Sequence, residues 1–119
     1  MSVEDIPTSL RLELARLCRS KQRSSEFSRE RPTRWSPATV IDPDDEHGRS
    51  FTPHRAWEYI ALQLDSGQPV EIIILDQPAG KKGYVLKIEQ PDKQILYVKL
   101  QLCPPGILGR SFHYSVYPR

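Results

Sequence analysis

The sequence predicts a single α+β domain in which an antiparallel four-stranded meander sheet packs against a helix, with an N-terminal helix and a basic linker before it. The chain has 119 residues, enough for one ordinary domain and too few for two full cores. Residues 53–65 show an apolar stripe at helical spacing, and residues 70–116 contain apolar runs joined by short turn segments. We therefore expect a helix and linker in 1–34 and the α+β domain in 35–119.

The N-terminal helix is predicted at residues 8–20. Leu10, Leu14 and Leu17 recur at helical spacing, and Pro7 marks the start. A stripe of this kind usually packs onto a core. The alternative is a helix that binds a partner.

The segment 19–34 has almost no apolar side chains, so it cannot bury enough surface to offset its chain entropy. We expect a flexible basic linker there. The following segment, 35–50, has the apolar anchors Trp35, Val40 and Ile41 between turn residues. It predicts an ordered loop over the domain.

The helix at 53–65 has the clearest boundaries. Thr52 is a good N-cap, Pro53 suits the first helical position, and Gly67 suits the stop. We expect the helix to lie across the sheet with Trp57 buried. Its apolar stripe comprises Ala56, Trp57, Ile60, Ala61 and Leu64.

Four strands follow, joined by short turns that favour a meander of hairpins. The first run, Val70–Leu75, is continuously apolar after Glu71, which predicts a central or well-covered strand. The predicted strands are 70–75, 84–89, 95–102 and 107–116.

The register of the last two strands follows from matching their apolar faces, because a buried face specifies register strongly. A three-residue loop, 104–106, pairs Cys103 with Ile107 and sets Val98 opposite Phe112. A two-residue loop would instead set Val98 against a polar residue.

The same register places Tyr97 opposite His113 and Lys99 opposite Ser111, and it leaves Arg110 in need of a partner or an edge position. Histidine can transfer a proton near neutral pH, and lysine can stabilise charge on a phosphorane. The alternative is an ordinary solvent-exposed polar face. This face comprises Tyr97, Lys99, Gln101, Ser111 and His113.

Charge is unevenly distributed although the net charge is only +2. Residues 11–34 and 79–119 are basic, and residues 42–46 are acidic. This pattern suits a polyanionic partner, and the alternative is a solvated surface. The predicted turn GKKG adds Lys81 and Lys82. They could bind phosphate, and the alternative is an ordinary hairpin turn with solvent-exposed lysines.

The strands LYVKLQL (96–102) and GRSFHYS (109–115) resemble the C-terminal hairpin of the MqsR toxin family. That family consists of ribonucleases from toxin–antitoxin pairs, with a fold like the wider RelE group. The resemblance implies that Tyr97 and His113 occupy catalytic positions, with His113 where the family has a lysine.

The first functional hypothesis is a metal-independent endoribonuclease of the bacterial toxin type, which needs no cofactor and is inhibited by an antitoxin. The second is a non-catalytic module that binds protein or nucleic acid. The absence of a signal-peptide pattern and of a long apolar run predicts a cytoplasmic protein without a membrane partner. Expected catalytic residues are His113, Lys99, Tyr97 and Arg110, and expected RNA-binding residues are Gln101, Ser111, Lys81 and Lys82.

Overall fold

The computed structural model describes residues 6–115, which form two α-helices, a short 3-10 helix (Pro37–Thr39) and six strands around one core. This arrangement confirms the α+β class. In chain order the elements are α1 (Thr8–Cys18), β1 (Arg23–Ser24), β2 (Arg34–Trp35), α2 (Pro53–Asp65), β3 (Glu71–Asp76), β4 (Ala79–Glu89), β5 (Ile95–Cys103) and β6 (Gly106–Tyr114). Val116, which we had placed in the last strand, lies outside the described residues.

The sheet has the order β1-β6-β5-β4-β3, and β2 also pairs with β6. Strands β3 to β6 form the predicted antiparallel meander. The prediction of a four-stranded sheet is wrong, however, because β1 and β2 add parallel pairs along β6. Arg23 pairs with Ile107, and Trp35 pairs with Phe112. Strands β1 and β2 pair with β6 through backbone hydrogen bonds, which do not require apolar side chains. The polar composition of residues 19–34 therefore does not prevent this pairing.

Helix α2 has the predicted bounds and caps. The Thr52 side chain accepts a hydrogen bond from the Arg55 backbone N–H, and Pro53 occupies the first turn. Gly67 follows the last turn with φ of 93°, a left-handed conformation that glycine adopts at little cost.

The core lies between the two helices and one face of the sheet. Trp57 is 4% exposed, and its ring stacks on Trp35 with the centroids 4.7 Å apart. Both tryptophans were expected in the core or next to it. The largest completely buried side chains include Leu14, Ile60, Leu64, Leu86, Leu96, Val98, Leu100 and Phe112.

Strand β3 is an edge strand, so the prediction that it is central or well covered is wrong. Ile72 and Ile74 are 48% and 63% exposed, and they share a face with the core residue Tyr84, which pairs with Ile72. Helices α1 and α2 do not cover β3 at this edge of the sheet. A run of β-branched residues indicates a strand but not its position in the sheet.

The loop after β2 is ordered over the domain, as predicted. Val40 is completely buried, whereas Ile41 is half exposed and is not the expected anchor. The buried carboxylate of Asp42 accepts hydrogen bonds from Nε and Nη2 of Arg55, at 2.8 and 3.1 Å. This ion pair joins the loop to α2.

Both cysteine thiols are free. Cys18 lies in the core, where burial raises its pKa to about 12. Cys103 ends β5 and is partly exposed. Among the helices of residues 6–115, none has the length and apolar content needed to cross a membrane.

Candidate active site

The side chains of Tyr97, Lys99, Ser111 and His113 share the polar face of the sheet, on the side opposite α1 and α2. Tyr97, Lys99 and His113 are partly exposed, whereas Ser111, which was expected to bind RNA, is only 5% exposed. Tyr97 pairs with His113 and Lys99 pairs with Ser111, so this part of the predicted register is confirmed. Paired residues point to the same side of an antiparallel sheet. The candidate catalytic side chains therefore share one surface.

The register near the β5–β6 turn differs from the prediction. Cys103 pairs with Gly106, so the loop has two residues rather than the predicted three, and Cys103 does not pair with Ile107. A bulge between Lys99 and Leu100 then moves the register by one residue. The extra residue on β6 lets the short turn coexist with the predicted apolar match.

Arg110 is the residue that the bulge inserts, and it is only 4% exposed. Its Nε donates to the Pro32 carbonyl at 2.8 Å, and its Nη2 donates to the Gln77 carbonyl at 2.7 Å. Its Nη1 donates to Oε1 of Gln101, also at 2.8 Å. Burial lowers the pKa of Arg110. The guanidinium thus links the three segments that contain Pro32, Gln77 and Gln101 through hydrogen bonds.

These bonds bear on two predicted roles. Gln101 was expected to bind substrate, but its side chain is buried and its oxygen accepts from Arg110. Arg110 was expected to stabilise phosphate charge, yet three of the five N–H donors of a guanidinium are already used. We regard Gln101 as a positioning residue for Arg110, whose guanidinium is enclosed by protein acceptors.

Tyr97 and His113 form the centre of the candidate site. Their ring centroids lie 5.6 Å apart with an interplanar angle of 30°. The Nδ1 atom of His113 lies 2.8 Å from the Tyr114 carbonyl oxygen. A carbonyl can only accept, so Nδ1 holds the proton, and the lone pair of the neutral ring is on Nε2.

Two residues beside Tyr97 were missed by the sequence reasoning. Lys87 pairs with Tyr97 across β4 and β5, and its Nζ lies 3.2 Å from Oε1 of Glu71. Burial raises the pKa of Tyr97, the charge of Lys87 opposes that shift, and Glu71 adds to it. The alternation of Leu86, Lys87 and Ile88 already placed Lys87 on the polar face.

Lys99 is partly buried, and burial is the main cause that lowers its pKa, followed by the charge of Arg110. Asp76 acts in the opposite direction. Within residues 6–115, the ammonium of Lys99 has neither an ion-pair partner nor a hydrogen-bond acceptor. A desolvated cation beside a second cation suits an anionic ligand.

Lys81 and Lys82 lie in β4, which begins at Ala79, so their segment is strand and not the predicted turn. The turn is formed by Gln77 and Pro78. Both lysines are exposed, and successive strand residues point to opposite faces. They therefore do not form a joint phosphate cradle, and their RNA-binding roles remain predictions.

A strap, residues 25–33, connects β1 to β2 and lies over the turn end of the polar face. Besides the bond from Arg110 to Pro32, the Nε2 atom of Gln77 donates to the Arg29 carbonyl at 2.7 Å. The two ends of the strap are joined by a hydrogen bond from the Thr33 hydroxyl to the Ser25 carbonyl, at 3.2 Å. It covers Gln101 and Arg110 while leaving the Tyr97–His113 end open.

In the described part of the chain, no three His, Cys, Asp or Glu side chains are grouped as metal ligands. Comparison with known proteins finds no matching family model, no matching curated protein and no matching solved structure. The resemblance to the MqsR toxins therefore stays a prediction.

Proposed function

We propose that the protein is a metal-independent endoribonuclease of the bacterial toxin type that acts in the cytoplasm. The observation that supports this best is the Tyr97–His113 pair next to Lys99, because it combines a free imidazole nitrogen with an unpaired cation. Acid–base cleavage of RNA needs both, since a proton must move and the phosphorane charge must be stabilised.

In this mechanism Nε2 of His113 removes the proton from a ribose 2′-hydroxyl. The 2′-oxygen then attacks the adjacent phosphorus, and the bond from phosphorus to the 5′-oxygen breaks. The products are a 2′,3′-cyclic phosphate and a 5′-hydroxyl. Tyr97 stacks on a base and positions it.

Lys99 faces the developing charge and supplies a proton to the departing 5′-oxygen. Its lowered pKa makes the ammonium a stronger acid than an ordinary lysine. Lys99 and His113 are diagonal neighbours on paired strands, roughly 7–8 Å apart in such a geometry. That spacing leaves room for a phosphodiester between the two side chains. The covered guanidinium of Arg110 adds positive potential to this anionic subsite through its charge near Lys99.

An antitoxin would inhibit such an enzyme by covering the open end of the polar face. The second candidate, a non-catalytic binding module, is favoured by one observation: the guanidinium of Arg110 is largely committed to protein carbonyls. Cleavage of RNA distinguishes the two candidates, since a binding module retains RNA without cutting it.

The test compares His113→Ala with His47→Ala, a matched control at an exposed histidine of the loop after β2. RNA cleavage is measured in the presence of a chelator, and thermal unfolding is measured on the same samples. We expect His113→Ala to lower the cleavage rate by roughly 10²–10⁴-fold at an unchanged melting temperature. A substrate with a single 2′-deoxy position should resist cleavage there. Equal cleavage by both variants would exclude His113 as the base.

A further inference from the structure

A second concave site lies between the strap and the β5–β6 turn, away from the Tyr97–His113 pair. This cavity has a volume of about 370 Å³ and is open to solvent, within the range of small-ligand sites. The nearly buried Ile107 and Leu108 line its inner side, and Ser24, Glu26, Phe27 and Arg31 also line it. None of these residues has a role in the proposed mechanism.

We propose that this cavity binds one nucleobase of single-stranded RNA, with the adjoining phosphate at Arg31. The inference rests on the proposed function and names its substrate class as single-stranded RNA with an unpaired base away from the cleaved bond. Phe27 provides the stacking surface, since it lines the cavity and is 68% exposed to solvent. Exposed aromatic rings beside cations are typical platforms for single-stranded nucleic acid.

Charge connects the cavity to the candidate active site. Arg31 lines the cavity, and its positive charge acts on Arg110. The charge of Arg110 in turn acts on Lys99, which neighbours the Tyr97–His113 pair. A phosphate backbone that leaves the active site beside Lys99 would reach Arg31 at the cavity, and the covered Arg110 adds to the positive potential between them.

The surroundings favour RNA over an apolar peptide as the occupant. Residues 19–34 contain six Lys/Arg against two Glu. Arg19 is paired with Asp65 and Glu26 lines the cavity, whereas within residues 6–115 the guanidinium of Arg31 has no ion-pair partner. A polyanion gains affinity from such a segment by releasing counterions. An apolar peptide would gain nothing from it.

The two cysteines allow a direct measurement of occupancy. Cys103 lines the cavity and is partly exposed. Cys18 is completely buried, and its pKa is raised to about 12, so its thiol is unreactive at neutral pH. Alkylation of the folded protein with N-ethylmaleimide therefore reports Cys103 alone, and intact mass gives its rate.

The probe is a short single-stranded oligodeoxynucleotide, which presents bases but lacks the 2′-hydroxyl needed for cleavage. At ten times its Kd, alkylation of Cys103 should slow roughly tenfold, because about a tenth of the cavities stay empty. Phe27→Ala should weaken binding about 5–150-fold, the loss expected for one base–aromatic stack. Leu12→Ala, at a similarly exposed apolar position of α1, should retain full protection.

A duplex of the same sequence is the second control, since its bases are not available for stacking. Protection by the duplex as strong as by the single strand would overturn the inference. So would an unchanged alkylation rate with bound single strand, or protection by a partner protein but not by nucleic acid. If wild-type protein cleaves RNA while Cys103 stays unprotected, the cavity inference alone fails. If the single strand protects Cys103 but RNA is never cut, the endoribonuclease proposal alone fails.

Discussion

Oε1 of Gln101 accepts a 2.8 Å hydrogen bond from Nη1 of Arg110, and both side chains are almost completely buried. Gln101→Leu removes the acceptor and leaves a buried charged donor unpaired. We expect the free energy of unfolding to fall by about 1–3 kcal/mol, measured by denaturant melting. Gln101→Glu keeps an oxygen at the same position and should lose less stability. Equal losses for the two variants would show that the hydrogen bond is not what stabilises this site.

Lys99 should reduce stability at neutral pH, because burial disfavours its charged form. Its pKa in the folded protein lies below the ordinary lysine value of 10.5, so the unfolded chain binds the proton more tightly. Stability therefore rises as pH increases from the folded pKa towards 10.5. Lys99→Met should be more stable than wild type at pH 7, with a difference that shrinks as pH approaches 10.5, and it should cleave RNA poorly.

The control for this prediction is Lys82→Met at an exposed position of β4. Its stability should stay within about 0.5 kcal/mol of wild type. Thermal unfolding across the pH range measures both variants. A Lys99→Met protein that is less stable than wild type at pH 7 would contradict the desolvation of this ammonium.

Trp57 is the aromatic side chain on which the packing of α2 depends most directly. Trp57→Ala removes its stack on Trp35 and should cost about 3–5 kcal/mol, the usual range for truncating a buried aromatic residue. Leu62→Ala, on the exposed side of the same helix, should stay within about 0.5 kcal/mol. Denaturant melting measures both. A loss below about 1 kcal/mol for Trp57→Ala would contradict the docking of α2.

Within residues 19–34, limited trypsin digestion should cut first after Arg29. This residue lies in the exposed strap, whereas Arg23 and Arg34 lie in strands that pair with β6, and strand pairing protects the backbone from proteolysis. Mass spectrometry of early fragments identifies the first cut. Initial cleavage after Arg23 or Arg34 would show that β1 or β2 opens before the strap does.

The sequence predicted those elements whose bounds depend on residues close to each other in the chain. The cap at Thr52, the stripe through Trp57 and the stop at Gly67 give α2 its bounds, because each acts within a few residues. The pairing of Tyr97 with His113 was also predictable, since apolar side chains on the opposite face can match in only one way at that end.

The remaining features depend on partners far away in sequence. The bulge at Arg110 has no local signature, and its stabilising carbonyls belong to Pro32 and Gln77. Gly109 fits the same site because a Cβ there would lie 2.4 Å from the Trp35 ring, a contact that only the folded chain shows. Strands as short as β1 pair through the backbone alone, so their side chains give no pattern to detect.

The parallel pairing of β1 with β6 has a consequence for the order of folding. Arg23 pairs with Ile107, so a loop of more than eighty residues closes at this contact. Early closure would cost chain entropy before other contacts compensate for it. The hairpins of β3 to β6 are expected to form first, and β1 with the strap docks on the completed edge. Arg110 therefore lacks its Pro32 acceptor until late in folding, and a folding intermediate would expose this guanidinium to anions before the native state encloses it.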